Sequence, residues 1–297
     1  MNKPRLIVIV GPTASGKTRL AVKLAQKFNG EIVSADSRQL YHDMDIGTGK
    51  DKNDYGKIPY HFLDIKKTSQ KFNVARYKKL GQKIIRGIIS RGKTPFLVGG
   101  SGLYISALID NYDIPKIKPD WPLRKKLALM SLAKKQQLLK KLDPQSYQTI
   151  DLKNPRRLDR ALEVCLSGQK FSELKKINRP LFDCLIIGLD TPREILNKKI
   201  NARVDKMIAA GLVVETQKIF KKQKQNSILL NTIGYAEIVD YLKNKNTLAE
   251  AVELIKIHTR QYAKRQMTWF RRDQRIHWLT KKSAAEKLIK QFLISDY

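Results

Sequence analysis

The sequence predicts an α/β fold: a parallel sheet wound with helices and interrupted by a helical insertion. Three observations predict it. A glycine-bounded loop near residue 11 joins an apolar strand to an amphipathic helix. Strand-like and helix-like runs then alternate through the first third of the 297 residues. After Asn111 the chain becomes proline-punctuated, then basic and helical, before strand character returns at Cys184. Such alternation marks strand–helix units, whose ligands gather at the carboxyl ends of the strands.

Leu6–Val10 is a short continuous apolar run and reads as a buried strand. It enters Gly11-Pro12-Thr13-Ala14-Ser15-Gly16-Lys17-Thr18, which fits G-x-x-x-x-G-K-[ST]. Backbone N–H groups of such a loop wrap a di- or triphosphate, Lys17 adds a mobile positive charge, and the Thr18 hydroxyl is the expected Mg²⁺ ligand. From Thr18 to Phe28, Leu20, Ala21, Leu24 and Phe28 recur at helical spacing. Glu31–Ala35 is the second strand, ending at Asp36, and Val74–Ile89 the next helix. Thr94–Val98 is a third strand that runs into Gly99-Gly100-Ser101-Gly102 and a helix from Leu103 to Ile109. Asp36, this glycine turn and the phosphate loop are therefore expected around one crevice.

Pro115, Pro119 and Pro122 read as a linker. Leu123–Leu142 reads as one basic helix carrying Arg124, and a second runs from Arg156 to Val164, opened by Asn154-Pro155 and closed by Gly168. Cys184–Leu189 is strand-like, with a helix opening at Asp190–Glu194. Residues 117–181 are thus expected to form a helical insertion between the two parts of the core, 1–116 and 182–297. The last third reads as mainly helical: Ile200–Ile208 with Arg203, ended by Gly211, then a polar turn over Lys221–Asn226 and one long helix from Leu248 to Phe270. On that helix Arg260, Lys264 and Arg271 interleave with Tyr262, Trp269 and Phe270, a pattern suited to phosphates and unpaired bases.

Composition narrows the partners. Lys plus Arg number 59 against 27 Asp plus Glu, a formal net charge of +32, and a polyanion is the natural counterpart of such a field. Cys165 and Cys184 make neither a disulfide framework nor a C-x-x-C metal pair, and the spacing of the four histidines does not suggest zinc. No apolar run reaches the length of a membrane span and Met1–Pro4 does not open a secretory signal, so a cytoplasmic protein without membrane contact is expected.

Several separated blocks resemble, in order, those of the tRNA dimethylallyltransferase (isopentenyltransferase) family. They are Gly11–Thr18, Asp36–Tyr41, Asp45–Thr48, Val98–Tyr104, Arg157–Glu163, Arg203–Met207 with Gly211-Leu212, Ile233–Tyr235 and Tyr262–Arg271. The resemblance implies a nucleotide-kinase-like core with a helical insertion. It also implies Mg²⁺ and transfer of a dimethylallyl group from dimethylallyl diphosphate to an adenine N6 beside the anticodon of tRNA. It places the donor's diphosphate on Gly11–Thr18, Asp36 as general base, and Ser101 near the reacting centre, with Lys17, Thr18 and Arg203 beside the leaving group. It assigns tRNA contacts to Asp36, Ser37, Arg38, Gln39, Ser101, Arg124, Arg156, Arg157, Leu158, Asp159, Arg160, Gly234, Tyr235, Lys264, Arg265 and Gln266. One crevice per chain makes a monomer the simplest expectation.

The chain departs from the family pattern twice. Lys199 stands where an arginine is common, which keeps the charge but loses the bidentate fork. Gly47-Thr-Gly-Lys-Asp51 replaces G-T-A-K-P. The phosphate loop by itself also suits a nucleotide or small-molecule kinase, or an RNA-binding nucleoside triphosphatase. Asp190, after a strand, is a weak acidic partner for the latter. Prenylation of free AMP would leave the basic segments without a polyanion.

Overall fold

The computed structural model describes residues 3–114, 117, 119–174, 178–223, 226–279, 281 and 283–294. Alternation along the first strand, β1 (Arg5–Val10), explains how the fold is layered: Leu6, Val8 and Val10 enter one apolar cluster, Ile7 and Ile9 another. It is flanked by β2 (Gly30–Ala35), β3 (Tyr60–His61), β4 (Thr94–Gly99), β5 (Asp183–Leu189) and β6 (Ile276–Leu279), all parallel, in the order β3-β2-β4-β1-β5-β6. The register sets Val10 against Gly99 and Gly188, and Ala35 against Gly99. The loops after β1, β2 and β4 therefore leave the sheet at the same level.

One face is covered by α1 (Lys17–Lys27) and α12 (Ala284–Ile294) through Leu20, Leu24, Ala285 and Ile289. The other carries α2 (Val74–Ser90), α3 (Gly102–Ile109), α8 (Arg193–Ala209), α9 (Leu212–Lys222), α10 (Tyr235–Leu242) and α11 (Leu248–Phe270). Capping is local and explicit. The Asn73 side chain accepts from Arg76 N, and Thr247 with Glu250 closes a capping box on α11. Gly211, at φ +97, turns the chain between α8 and α9.

The chain divides into two compact units, Met1–Ile109 with Pro180–Tyr297, and Asp110–Arg179. The second is helical: α4 (Trp121–Ala128), α5 (Leu132–Leu142), α6 (Pro144–Thr149) and α7 (Pro155–Leu166) around Leu127, Leu139, Leu158, Ala161 and Leu162. Its polar centre is the buried Glu163, which accepts from Asp120 N at 2.7 Å and from Arg124 Nε and Nη2 at 2.8 Å each, and pairs with Arg160. Burial pushes the Glu163 carboxyl up, but the bonds from Arg124, Arg160 and Asp120 outweigh it and hold the group down at about 2.

Two expectations need correction. Leu123–Leu142 is two helices, because Ser131 takes an extended conformation and its side chain caps the second by accepting from Lys134 N. Pro122 sits in the first turn of α4 rather than in a linker, behind the Asp120 cap. The last third is mainly helical as expected, and also contains β6, a four-residue edge strand paired with β5. Pro115 and Lys116 of the expected linker and boundary, and Lys224 and Gln225 of the expected polar turn, lie outside the described residues.

Candidate active site

The loop after β1 is built for close approach of an anion. Gly16 adopts φ +82 at the start of α1, whose N-terminus has no side-chain cap, so the first-turn amides stay available. Ala14 takes φ +60, a left-handed conformation unusual for a side-chain-bearing residue, and packs against Leu196, Ile200 and Ala263. Among the described residues Ser15 Oγ is buried with no hydrogen-bond partner, a hydroxyl left over for a ligand. Gln266, buried on α11, braces the loop: its Oε1 accepts from Thr13 N and its Nε2 donates to Gly100 O, both at 2.9 Å.

Lys17 opens on the crevice and donates back to Pro12 O at 3.3 Å. Desolvation pushes its ammonium down to about 8; the field of Asp36 works against that shift, and the field of Arg203 adds to it. Asp36 follows β2 directly. Its Oδ1 accepts from Arg38 N at 2.8 Å and Gln39 N at 3.4 Å, which fixes the carboxylate and leaves Oδ2 for a substrate. Ser101, after β4, donates its N–H to Ala35 O at 3.1 Å, accepts from Ser37 N at 3.1 Å, and is hydrogen-bonded to Tyr262. A Cβ on Gly99 would lie 2.2 Å from Ala35 O, so the two strand ends meet only because that position is glycine.

Two openings converge on these residues. The first, about 400 Å³, is lined by Gly16, Lys17, Thr18, Gln39, Lys199 and Lys206 among others. The second, about 410 Å³, is lined by Ser37, Arg38, Gly234, Tyr262 and Arg265 among others. Thr13, Asp36, Thr48 and Arg203 line both. One opening is thus a cation-lined crevice at the glycine loop, called the phosphate crevice for the ligand that the loop motif suits, and the other an aromatic and basic mouth. A carboxylate stands where they join. Among the described residues there is no group of three or more His, Cys, Asp or Glu side chains able to cage a metal. The Thr18 hydroxyl in the phosphate crevice instead fits Mg²⁺, which takes one or two protein oxygens and binds mainly through substrate phosphates and water.

The IPP transferase family profile matches residues 39–273, and the isopentenyl transferase profile residues 4–70. The chain is 42% identical over 297 residues to the tRNA dimethylallyltransferase of Acetivibrio thermocellus, covering 96% of this chain and 95% of the relative. With the tRNA dimethylallyltransferase of Pelotomaculum thermopropionicum it shares 45% identity over 288 residues, 94% of this chain and 91% of that one. The chain belongs to the IPP transferase family. Two solved structures resemble this IPP transferase. The tRNA isopentenylpyrophosphate transferase of Bacillus halodurans has a TM-score of 0.74 at 36% identity, covering 98% of this chain and 96% of that one. A eukaryotic dimethylallyltransferase acting on tRNA has a TM-score of 0.81 at 30% identity, covering 98% of this chain and 78% of the other.

Within this IPP transferase the expected site residues separate into groups. Thr13, Ala14, Gly16, Lys17, Thr18, Asp36, Gln39 and Arg203 line the phosphate crevice. Ser37, Arg38, Gly234 and Arg265 face the second opening. Arg156 and Arg157 are exposed on the helical unit. Four of the expected RNA contacts have structural places within the protein. Leu158 and Tyr235 are fully buried, Leu158 in the core of the helical unit and Tyr235 with its phenol on Glu215. Gln266 is the buried brace described above, and Asp159 pairs with Lys135 at 2.7 Å. Lys264 turns away from both openings, toward a groove of about 720 Å³ shared with Leu196, Arg260 and Met267; that groove is larger but holds none of the phosphate loop. The sequence reading missed Lys206, although Lys199, Arg203 and Lys206 make an i, i+4, i+7 stripe on α8 that was there to be read. It also missed Glu215, which no local pattern marks.

Proposed function

We propose that this IPP transferase moves a dimethylallyl group from dimethylallyl diphosphate to N6 of the adenosine 3′ to the anticodon, in tRNAs that read codons beginning with U. It releases diphosphate. The observation that carries this reading is the carboxylate shared by two openings. A kinase needs one phosphate crevice and a hydroxyl acceptor. Here the acceptor's mouth offers Tyr262 for stacking and Arg38 and Arg265 for phosphates, as an unpaired loop base requires.

Adenine N6 is a weak nucleophile, because its lone pair is delocalised into the ring. The C1–O bond of the donor must therefore stretch early, with charge gathering on the departing diphosphate. Lys17, the loop amides and Arg203 meet that charge, and Mg²⁺ held at Thr18 would supply further neutralisation when bound. As N6–C1 forms, Asp36 Oδ2 accepts the N6 proton. Ser101 holds the turn that carries Asp36 and bonds Tyr262 in the acceptor mouth. Among the described residues no helix is long and apolar enough to cross a membrane. Action in the cytoplasm as a monomer completes the proposal.

Purified protein with Mg²⁺, unmodified tRNA and labelled donor is expected to yield N6-dimethylallyladenosine in the nucleoside digest by mass spectrometry. ADP made from ATP, without prenyl transfer, would overturn the reading in favour of a kinase. Arg265, exposed and 6.0 Å over the Tyr262 ring, gives a cleaner RNA test than Arg160, whose loss strips a partner from buried Glu163. Arg265→Ala is expected to raise the KM for tRNA and reduce its log–log salt slope by about 0.7–0.9. An unchanged slope would place the RNA backbone elsewhere.

A further inference from the structure

Glu215, on α9, lines neither opening, yet its carboxylate gathers the loop that does. Its Oε2 accepts from Asp45 N at 3.1 Å and Ile46 N at 2.9 Å, and its Oε1 from Gly47 N at 3.2 Å and the Tyr235 phenol at 2.6 Å. Three successive amides thus converge on one anion, an arrangement backbone loops otherwise reserve for bound phosphates or ions. Burial and the neighbouring carboxylate push the Tyr235 phenol well up, so it stays a donor. The loop fits tightly, because a Cβ on Gly47 would lie 2.4 Å from the Tyr235 ring.

The held segment delivers its next two carbonyls to the phosphate crevice. Gln39 Nε2 donates to Thr48 O and Gly49 O at 3.2 Å each, and Arg203 Nη2 donates to Gly49 O at 3.3 Å. Gly49 takes φ +61, and a Cβ there would fall 1.6 Å from Arg203 Nη2, so the guanidinium rests against bare backbone. Arg203 is a long side chain with much rotamer freedom to lose. What keeps it aimed is a carbonyl whose position depends on Glu215.

We propose that Glu215 is a positioning residue for Arg203. Through residues 45–49 it fixes the guanidinium against the phosphate crevice and so governs capture of the donor's diphosphate. This rests on the reading that Arg203 binds that diphosphate. Loss of the carboxylate leaves three amides short of a charged acceptor, the Gly49 carbonyl drifts, and Arg203 is released. The Asp36 turn keeps its own bonds, so proton transfer from bound substrates is little affected.

The test is a double-mutant cycle read in steady-state kinetics with varied dimethylallyl diphosphate. Glu215→Gln is expected to raise the donor KM several-fold and to lower kcat with it, about tenfold together in kcat/KM, because Arg203 also meets the charge of the leaving diphosphate. In an Arg203→Ala background the same substitution adds nothing, because its target is gone. Glu215→Asp, which keeps the charge but is one methylene shorter, is expected to do less harm than the isosteric amide; a packing role would reverse that order. A donor KM unmoved by E215Q, or an equal rise in both backgrounds, overturns the proposal. An R203A enzyme with unchanged donor KM would strike instead at the diphosphate role of Arg203, and the proposal would fall with it.

Discussion

Asp36→Asn is expected to slow single-turnover prenyl transfer by about 10²–10⁴-fold, the range of a general-base contribution, and to leave tRNA affinity within about threefold. The geometry makes this substitution unusually clean. Oδ1 is the atom that accepts from Arg38 N and Gln39 N, and asparagine keeps a carbonyl oxygen for those bonds. The turn, the Ser37–Ser101 contact and the wall between the two openings are therefore retained. Only Oδ2 changes, from a proton acceptor to an amide that cannot take the N6 proton. Rapid-quench assay with saturating donor, beside filter binding of tRNA, separates chemistry from affinity. A near-normal transfer rate would remove Asp36 from the role of base. Equal losses in rate and in tRNA affinity would recast it as an RNA contact.

What the sequence made legible here follows the reach of its signals. The phosphate loop needs only local order, strand then glycines then helix, and Gly11–Thr18 carries all of it in eight consecutive residues. Asp36 and Ser101 were placed by the same logic, as the residues that follow strands on one edge. β6 escaped because four residues, Ile276–Leu279, show too little alternation to stand out, and its partner β5 is some ninety positions earlier in the chain. On α11 the sequence named a segment but not its rotation. Thr259, Tyr262 and Arg265 face the second opening, Arg260, Lys264 and Met267 face a separate groove, and Ala263, Gln266 and Phe270 point inward. Adjacent residues on a helix stand about 100° apart, so Lys264, Arg265 and Gln266 point to three different surroundings. Glu215 lay out of reach altogether, since its meaning depends on a loop 170 residues away.

Lys17 carries the second large effect, and its pH dependence gives a direct reading of it. Lys17→Met is expected to lower kcat by about 10²–10³-fold, the scale of removing one preorganised donor from a developing anion. The pH profile is the sharper measurement. Burial disfavours the ammonium and sets it at about 8 in the free enzyme, against an ordinary value of 10.5. The protonated form is the one that meets diphosphate, so kcat/KM for the donor is expected to hold on the acid side of 8 and fall above it. Bound diphosphate favours the charged form, so the corresponding limb in kcat lies at higher pH. Stability runs the other way. Between 8 and 10.5 the unfolded chain holds the proton that the folded chain has lost, so the destabilisation from burying this charge is fully present below 8 and fades as pH rises toward 10.5. Activity and stability thus move in opposite directions over one pH interval, for one group. Lys17→Arg, charged throughout that range, should erase the alkaline limb of kcat/KM whatever its absolute rate. If the limb stays at about 8 in that variant, another group sets it, and the leaving-group role of Lys17 must rest on the methionine variant alone.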